Sequence, residues 1–174
     1  MPYLLDSNVF IEAKNRYYGL DFCPAFWEWL LRANATGTVL SIEKVGDELE
    51  AGEDELADWA EGRGPEFFLK PTAEMAKSLV VVSEWAQGQE YEAVAVSRFL
   101  EGADYYLVAH AHAHGHTVVT HELHSASLKR IKIPDACLGV GVKSMNTFEM
   151  LRHERARFVL EGGGPAAEAP GDRD

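Results

Sequence analysis

The chain has 174 residues, of which 47% are hydrophobic and 25% charged, the length and composition of one globular domain with a buried core. A formal net charge of −12 argues against binding of nucleic acid by a broad basic face. Cys23 and Cys137 stand at no metal-ligand or redox spacing, which excludes a disulfide framework and fits a reducing cytoplasm. No apolar run is long enough to cross a bilayer, so no membrane role is expected, and the start Met1-Pro2-Tyr3-Leu4-Leu5 has no signal-peptide pattern.

Taken in order, the first β-like run is Tyr3-Leu5, which meets Asp6, Ser7 and Asn8 at once. Phe22, Phe26, Trp29, Leu30 and Ala33 then form an apolar stripe at helical spacing, and Gly37 supplies a stop. A second strand is expected at Thr38-Ser41. Ser41 is read as the N-cap of a helical face running through Val45, Leu49, Gly52, Leu56 and Trp59. Further helices are expected around Met75-Ala76-Leu79-Val80-Ser83, around Tyr91-Val94-Ala95-Phe99, and from Asp104 through Leu107, Val108 and Ala111 to a stop at Gly115. Strands follow at Thr117-Thr120 and Val142-Met145. The body is expected to span residues 1–160, and the Gly-, Pro-, Ala- and acid-rich residues 161–174 to be a disordered tail.

Strands alternating with helices predict a three-layer α/β/α domain around a central, mainly parallel sheet of four or five strands. Such sheets bind ligands at the carboxyl ends of their strands. Asp6 and Glu122 fall directly after two strands, although for Asp6 taken alone a helix cap at Asp6 or Ser7 is the better reading. Asp104 heads an apolar stripe, where a carboxylate must be capping, paired or metal-bound. Glu48 lies beside the core-facing edge of its helix, but spacing alone does not select it from Glu43, Asp47, Glu50, Glu53, Asp54 and Glu55, which read as a solvated acidic face. Converging carboxylates suit Mg²⁺ or Mn²⁺, which take oxygen ligands and support phosphodiester hydrolysis. The acidity of the chain is reconciled with such chemistry if the site is loaded with cations, or if a basic partner covers it.

In this order the pieces resemble the motifs of PIN-domain nucleases. Asp6-Ser7-Asn8-Val9-Phe10-Ile11 resembles the first motif, and Ser41, Val45, Glu48 and Leu49 the second. Asp104-Tyr105-Tyr106-Leu107-Val108-Ala109 resembles the third, and Thr120-His121-Glu122 the last. The segments Pro24-Ala25-Phe26-Trp27-Glu28-Trp29-Leu30 and Ile133-Pro134-Asp135-Ala136-Cys137 resemble the PIN-like subgroup DUF4411. The resemblance implies a VapC-like ribonuclease toxin that cuts RNA to leave a 5′-phosphate and a 3′-hydroxyl. It further implies a cognate antitoxin and a homodimer. Asp6, Glu48, Asp104 and Glu122 would be the catalytic and metal-binding acids, with Ser7, Asn8 and Thr120 in support. The fourth acid departs from the usual pattern by being Glu122, and Asp135 is a further candidate for its place. A silent PIN scaffold that binds a partner protein or RNA is the alternative.

Lys129, Arg130 and Lys132 form the densest basic cluster and are candidate phosphate contacts, with Lys14 and Arg16 a weaker pair. His110, His112, His114 and His116 contain i, i+4 pairs that can bind zinc or nickel, but solvent-facing imidazoles at a helix end are favoured. Trp27, Trp29, Trp59 and Trp85 are expected in the core or a dimer interface. No Gly-rich phosphate loop or nucleophile elbow is present.

Overall fold

A computed structural model of the chain describes residues 2–160, so the tail expected over 161–174 lies outside the described residues. The elements run β1 (Tyr3–Leu5), α1 (Ser7–Glu12), a π-helical turn (Ala13–Tyr17), α2 (Pro24–Ala35), β2 (Val39–Ile42), α3 (Glu43–Glu50) and α4 (Glu55–Glu61). They continue with β3 (Phe68–Leu69), α5 (Met75–Gly88), α6 (Ala93–Glu101), α7 (Ala103–His114), β4 (Thr117–Val119), α8 (Ile133–Val140), β5 (Ser144–Met145) and α9 (Thr147–His153).

The strands form one five-stranded sheet in the order β3-β2-β1-β4-β5, and every pairing is parallel. Parallel strands must be joined by crossovers, and the crossover helices cover the faces of the sheet. The central strands are therefore dry on both sides: Leu4, Leu5, Val39, Val118 and Val119 are fully buried. The result is the three-layer α/β/α arrangement expected from the alternation of patterns.

Local signals explain most boundaries. Gly37 and Gly115 both take positive φ, 73° and 69°, where an L side chain is strained, and Gly115 is the left-handed C-cap that stops α7 before β4. Pro24 opens α2 and Pro134 lies in the first turn of α8, where the missing N–H costs no hydrogen bond. Asn146 and Glu149 close a capping box on α9.

Several expectations are corrected. The face from Val45 to Trp59 belongs to two helices: the chain breaks at Glu53, which has φ 50°, and Asp54 recaps α4 by accepting from the N–H groups of Leu56 and Ala57. Ser41 does not cap α3. It stays in β2, and its buried hydroxyl donates to Leu5 O at 2.6 Å. Phe22 lies before α2 and is exposed, as are Val80 and Val94 on their helices. Strand β3 has no counterpart in the sequence reading. Trp27 is buried, whereas Trp29, Trp59 and Trp85 are partly buried and pack against the core. Among the described residues, no helix is long and apolar enough to cross a membrane.

Candidate functional site

From β1 the chain moves outward through β2 and β3, then crosses back to β4 on the other side of β1. Connections that leave adjacent strands in opposite directions open a crevice at their carboxyl ends. Asp6 follows β1 at this crevice, and its backbone N–H donates to Val119 O at 3.0 Å, carrying the ladder one step beyond the strand. Thr120 and Glu122 follow β4 on the other side. Glu48, exposed on α3, lies near enough to Asp104, in the first turn of α7, for its charge to raise the Asp104 carboxyl.

Asp6 is 4% exposed. Its Oδ1 accepts from the Ser7 N–H at 2.7 Å, the expected cap of α1, and its Oδ2 accepts from Thr120 Oγ1 at 2.9 Å. Thr120 Oγ1 in turn accepts from Asn8 Nδ2 at 3.2 Å and from the Glu122 N–H at 3.1 Å. Asn8 Oδ1 accepts from the His121 N–H at 3.0 Å. Ser7, Asn8 and Thr120 thus fix the Asp6 carboxyl and tie α1 to the segment after β4.

The electrostatics are those of crowded acids. Burial pushes the Asp6 carboxyl up to about 8; the charge of Asp104, and then that of Glu122, add to this against the bonds from Thr120 and Ser7. Asp104 is pushed up to about 6 by burial, then by Glu122 and Glu48, with Arg130 and Lys132 opposing. Asp104 is not a cap: the N-cap position of α7 is Gly102, which makes no side-chain bond. Beneath them the Cys137 thiol, fully buried, is held up at about 12 by burial and by Asp6, so it is an inert core group.

Glu122 is committed locally. Its Oε1 pairs with Arg130 Nη2 at 3.0 Å and Lys132 Nζ at 3.7 Å, and its Oε2 accepts from the Ile133 N–H at 2.8 Å. Asp135 does not face the other acids. Its Oδ1 meets His124 Nδ1 at 2.8 Å and its Oδ2 accepts from the Ser125 N–H at 3.1 Å, so it shapes the loop before α8. Among the described residues, no three His, Cys, Asp or Glu side chains are grouped to hold a metal ion. Oxygen donors suited to Mg²⁺ or Mn²⁺ are present, and the buried charge on Asp6 is the kind a divalent ion would offset. The set is not closed into a ligand shell because Glu122 is tied to two cations.

One groove adjoins Asp104 and another Glu122. One, of about 290 Å³, is lined by Arg98, Lys129 and Arg130 with Asp104. The other, of about 610 Å³, is lined by Asn8, Arg16, Tyr17, His121, Glu122 and Lys132, among others. Arg98 and Tyr17 have no signal in the sequence, since only the packing of α6 and the π-helical turn brings them here. Lys14 is engaged instead by Asp54 at the start of α4. Burial and then nearby Glu12 act in opposite directions on His121, with burial winning and keeping the imidazole neutral near pH 7.

The histidines are not solvent-facing as a set. His110 is 2% exposed, and its ring centroid lies 4.7 Å from that of His114 and 5.7 Å from that of His116. Burial, followed by the charges of His114 and His116, holds His110 down at about 4. His112 and His114 bond Ser78 Oγ at 2.8 Å and Thr72 Oγ1 at 2.9 Å. These imidazoles join α7 to α5 and to the segment before it, far along the helix from Asp104.

The fold is shared with three solved structures. VapBC2 from Rickettsia felis, solved bound to a DNA fragment from its promoter, superposes with a TM-score of 0.50 at 15% identity, over 84% of this chain and 98% of that one. FitAcB from Neisseria gonorrhoeae superposes with a TM-score of 0.52 at 19% identity, over 84% and 98%. FitAB bound to an IR36 DNA fragment gives 0.52 at 19% identity, over 83% and 94%. The chain belongs to the family described as domain of unknown function DUF4411, whose model matches residues 3–158. No curated protein matches the chain.

Proposed function

We propose that the protein is a metal-dependent endoribonuclease acting as the toxin of a toxin–antitoxin pair. The observation that carries this reading is the gathering of Asp6, Asp104 and Glu122 at the carboxyl end of the sheet, between a cationic groove and an open cleft. The likeness in fold to VapBC2 and FitAB supports the assignment of class, and an antitoxin that covers the site would satisfy the acidity of the surface.

Asp6 and Asp104 would hold Mg²⁺ or Mn²⁺, with Glu48 contributing from α3 and Glu122 completing the set once released from Arg130 and Lys132. The bound ion supplies an acidified water and positive charge at the phosphate and leaving oxygen. The chain's own residues do the rest. Ser7 and Thr120 lock the Asp6 rotamer through both carboxylate oxygens. Arg98, Lys129 and Arg130 would hold phosphate in the groove beside Asp104, and Lys132 would do so from the other side. A phosphate that takes Arg130 and Lys132 frees Glu122 at the moment the substrate arrives.

Incubating the purified chain with single-stranded RNA and Mn²⁺ tests the reading. Cleavage should be abolished by chelator and by Asp6→Asn or Asp104→Asn, with the fold retained by circular dichroism. Full activity in either variant removes the assignment. One observation favours a second reading, a silent scaffold for a partner protein or RNA: no three acids are grouped as ligands among the described residues. A scaffold would bind without any response to Mn²⁺.

A further inference from the structure

The larger groove differs from the cationic one in having an aromatic wall. Tyr17, the last residue of the π-helical turn, is 43% exposed. Its ring centroid lies 5.7 Å from His121 at an interplanar angle of 35°, and 5.0 Å from Phe148 in an edge-on contact. His121 and Phe148 are themselves 5.6 Å apart, so the three rings form one contiguous patch. It is a rigid patch. His121 is fixed at both ends, with Nε2 bonded to Thr147 Oγ1 at 3.0 Å and its backbone N–H held by Asn8.

An exposed tyrosine held in place by an aromatic edge needs an explanation that a solvated face does not give. Single π-helical turns recur at functional sites because the extra residue re-aims a side chain. Here the turn over Ala13–Tyr17 swings Tyr17 toward the segment after β4, while Ala13 remains in the core. The groove also carries Arg16 and Lys132, whose charges are only loosely engaged, by Glu12 at 3.3 Å and by Glu122 at 3.7 Å. A flat π-surface with cations beside it is how proteins hold a single nucleic-acid strand: the base stacks and the backbone meets the charge.

We propose that Tyr17, backed by His121 and Phe148, is the stacking platform for one unpaired nucleobase of a single-stranded RNA, next to the scissile phosphate at the acid cluster. This rests on the nuclease reading for the identity of the acid cluster, but the platform itself is a binding site and is testable without cleavage. Recognition by stacking tolerates any base, so the subsite would select for unpaired strands and not for sequence.

The test uses the full chain carrying Asp6→Asn, so that RNA is not consumed, and a short single-stranded RNA containing a fluorescent adenine analogue quenched by stacking, in Ca²⁺ buffer. The expected result is quenching on binding. Tyr17→Phe should preserve both quenching and affinity, whereas Tyr17→Ala should abolish the quenching and weaken binding roughly five- to a hundredfold. Tyr17→Leu, which keeps the bulk and covers Phe148, should behave like the alanine variant if the π-face is what matters. Equal affinity and quenching in all four proteins overturns the proposal, as does failure of the chain to bind the RNA at all. Loss of binding to a partner polypeptide on Tyr17→Ala, with RNA binding unchanged, overturns it too and assigns the face to a protein. If the RNA stacks on Tyr17 but the parent chain never cleaves RNA, the platform stands and the nuclease reading falls.

Discussion

At Asp6 a helix cap and a site acid occupy one side chain, and the two demands have opposite pH signatures. Its folded carboxyl titrates near 8 against about 4 in an unfolded chain, so between those values the folded state keeps a proton the unfolded state has lost. In the metal-free protein Asp6 should therefore contribute a loss of stability as pH rises from about 4 to 8, by at most about 1.4 kcal/mol per pH unit, and Asp104, pushed up to about 6, adds a loss of the same sign between about 4 and 6. Chemical denaturation in chelator should show the Asp6 slope between about pH 6.5 and 8, and Asp6→Asn should flatten it there. His110 acts in the other direction. Its folded value near 4 lies below the unfolded 6.5, so protons favour the unfolded chain as pH falls from about 6.5 to 4. In that window the two groups offset each other, and His110→Leu should leave the metal-free protein more stable at pH 5 relative to pH 7 than the parent is. Thr120 gives a third residue-scale test. Its hydroxyl donates to Asp6 Oδ2, and Thr120→Val should lower RNA cleavage by about ten- to a hundredfold without unfolding the chain, as loss of an outer partner of a metal ligand does. Of these residues Asp6 and Asp104 stood out in the sequence as candidates by their place after a strand or at the head of a helical stripe, and Thr120 only through the resemblance to PIN-domain motifs. It could not show that Glu122 is locked by Arg130 and Lys132, because that depends on how the loop to α8 folds back.

At the scale of elements, what was legible followed periodicity. Strands β1, β2, β4 and β5 were readable as short β-branched or apolar runs, and Gly37 and Gly115 as stops, since left-handed backbone selects glycine. Strand β3 was not, because Phe68 and Leu69 are too few to carry a period of two. The break between α3 and α4 was hidden for a different reason: Leu56 and Trp59 fall in phase with Val45 and Leu49 by chance, while Asp54 restarts the helix. The π-helical turn has no pattern of its own, so nothing in the sequence singled out Tyr17. Burial of His110 depends on α5 covering α7, a tertiary fact that alternating histidines conceal. One contact between elements is sharply testable. A Cβ on Gly139 of α8 would fall 2.0 Å from Trp85 Nε1 of α5. Gly139→Ala should cost about 1–3 kcal/mol in denaturant unfolding by forcing the indole out of its place against the core.

For the whole molecule, the parallel sheet with its reversal between β1 and β4 sets where Asp6 meets Thr120, and FitAcB shares the fold. The net charge of −12 then asks how such a surface approaches RNA. Arg98, Lys129 and Arg130 line one groove beside Asp104, and Arg16 and Lys132 stand with Glu12 and Glu122 in the other, so cations are present along the path we propose for a strand. Divalent ions at the acid cluster would remove the remaining repulsion, and they are the point on which the functional account turns. The decisive measurement is anomalous diffraction from crystals of the full chain grown with Mn²⁺. A manganese peak in contact with both Asp6 and Asp104, absent from crystals of Asp6→Asn, is the predicted result. Crystals of parent protein saturated with Mn²⁺ that show the two carboxylates directed apart, with no ion shared between them, would contradict it.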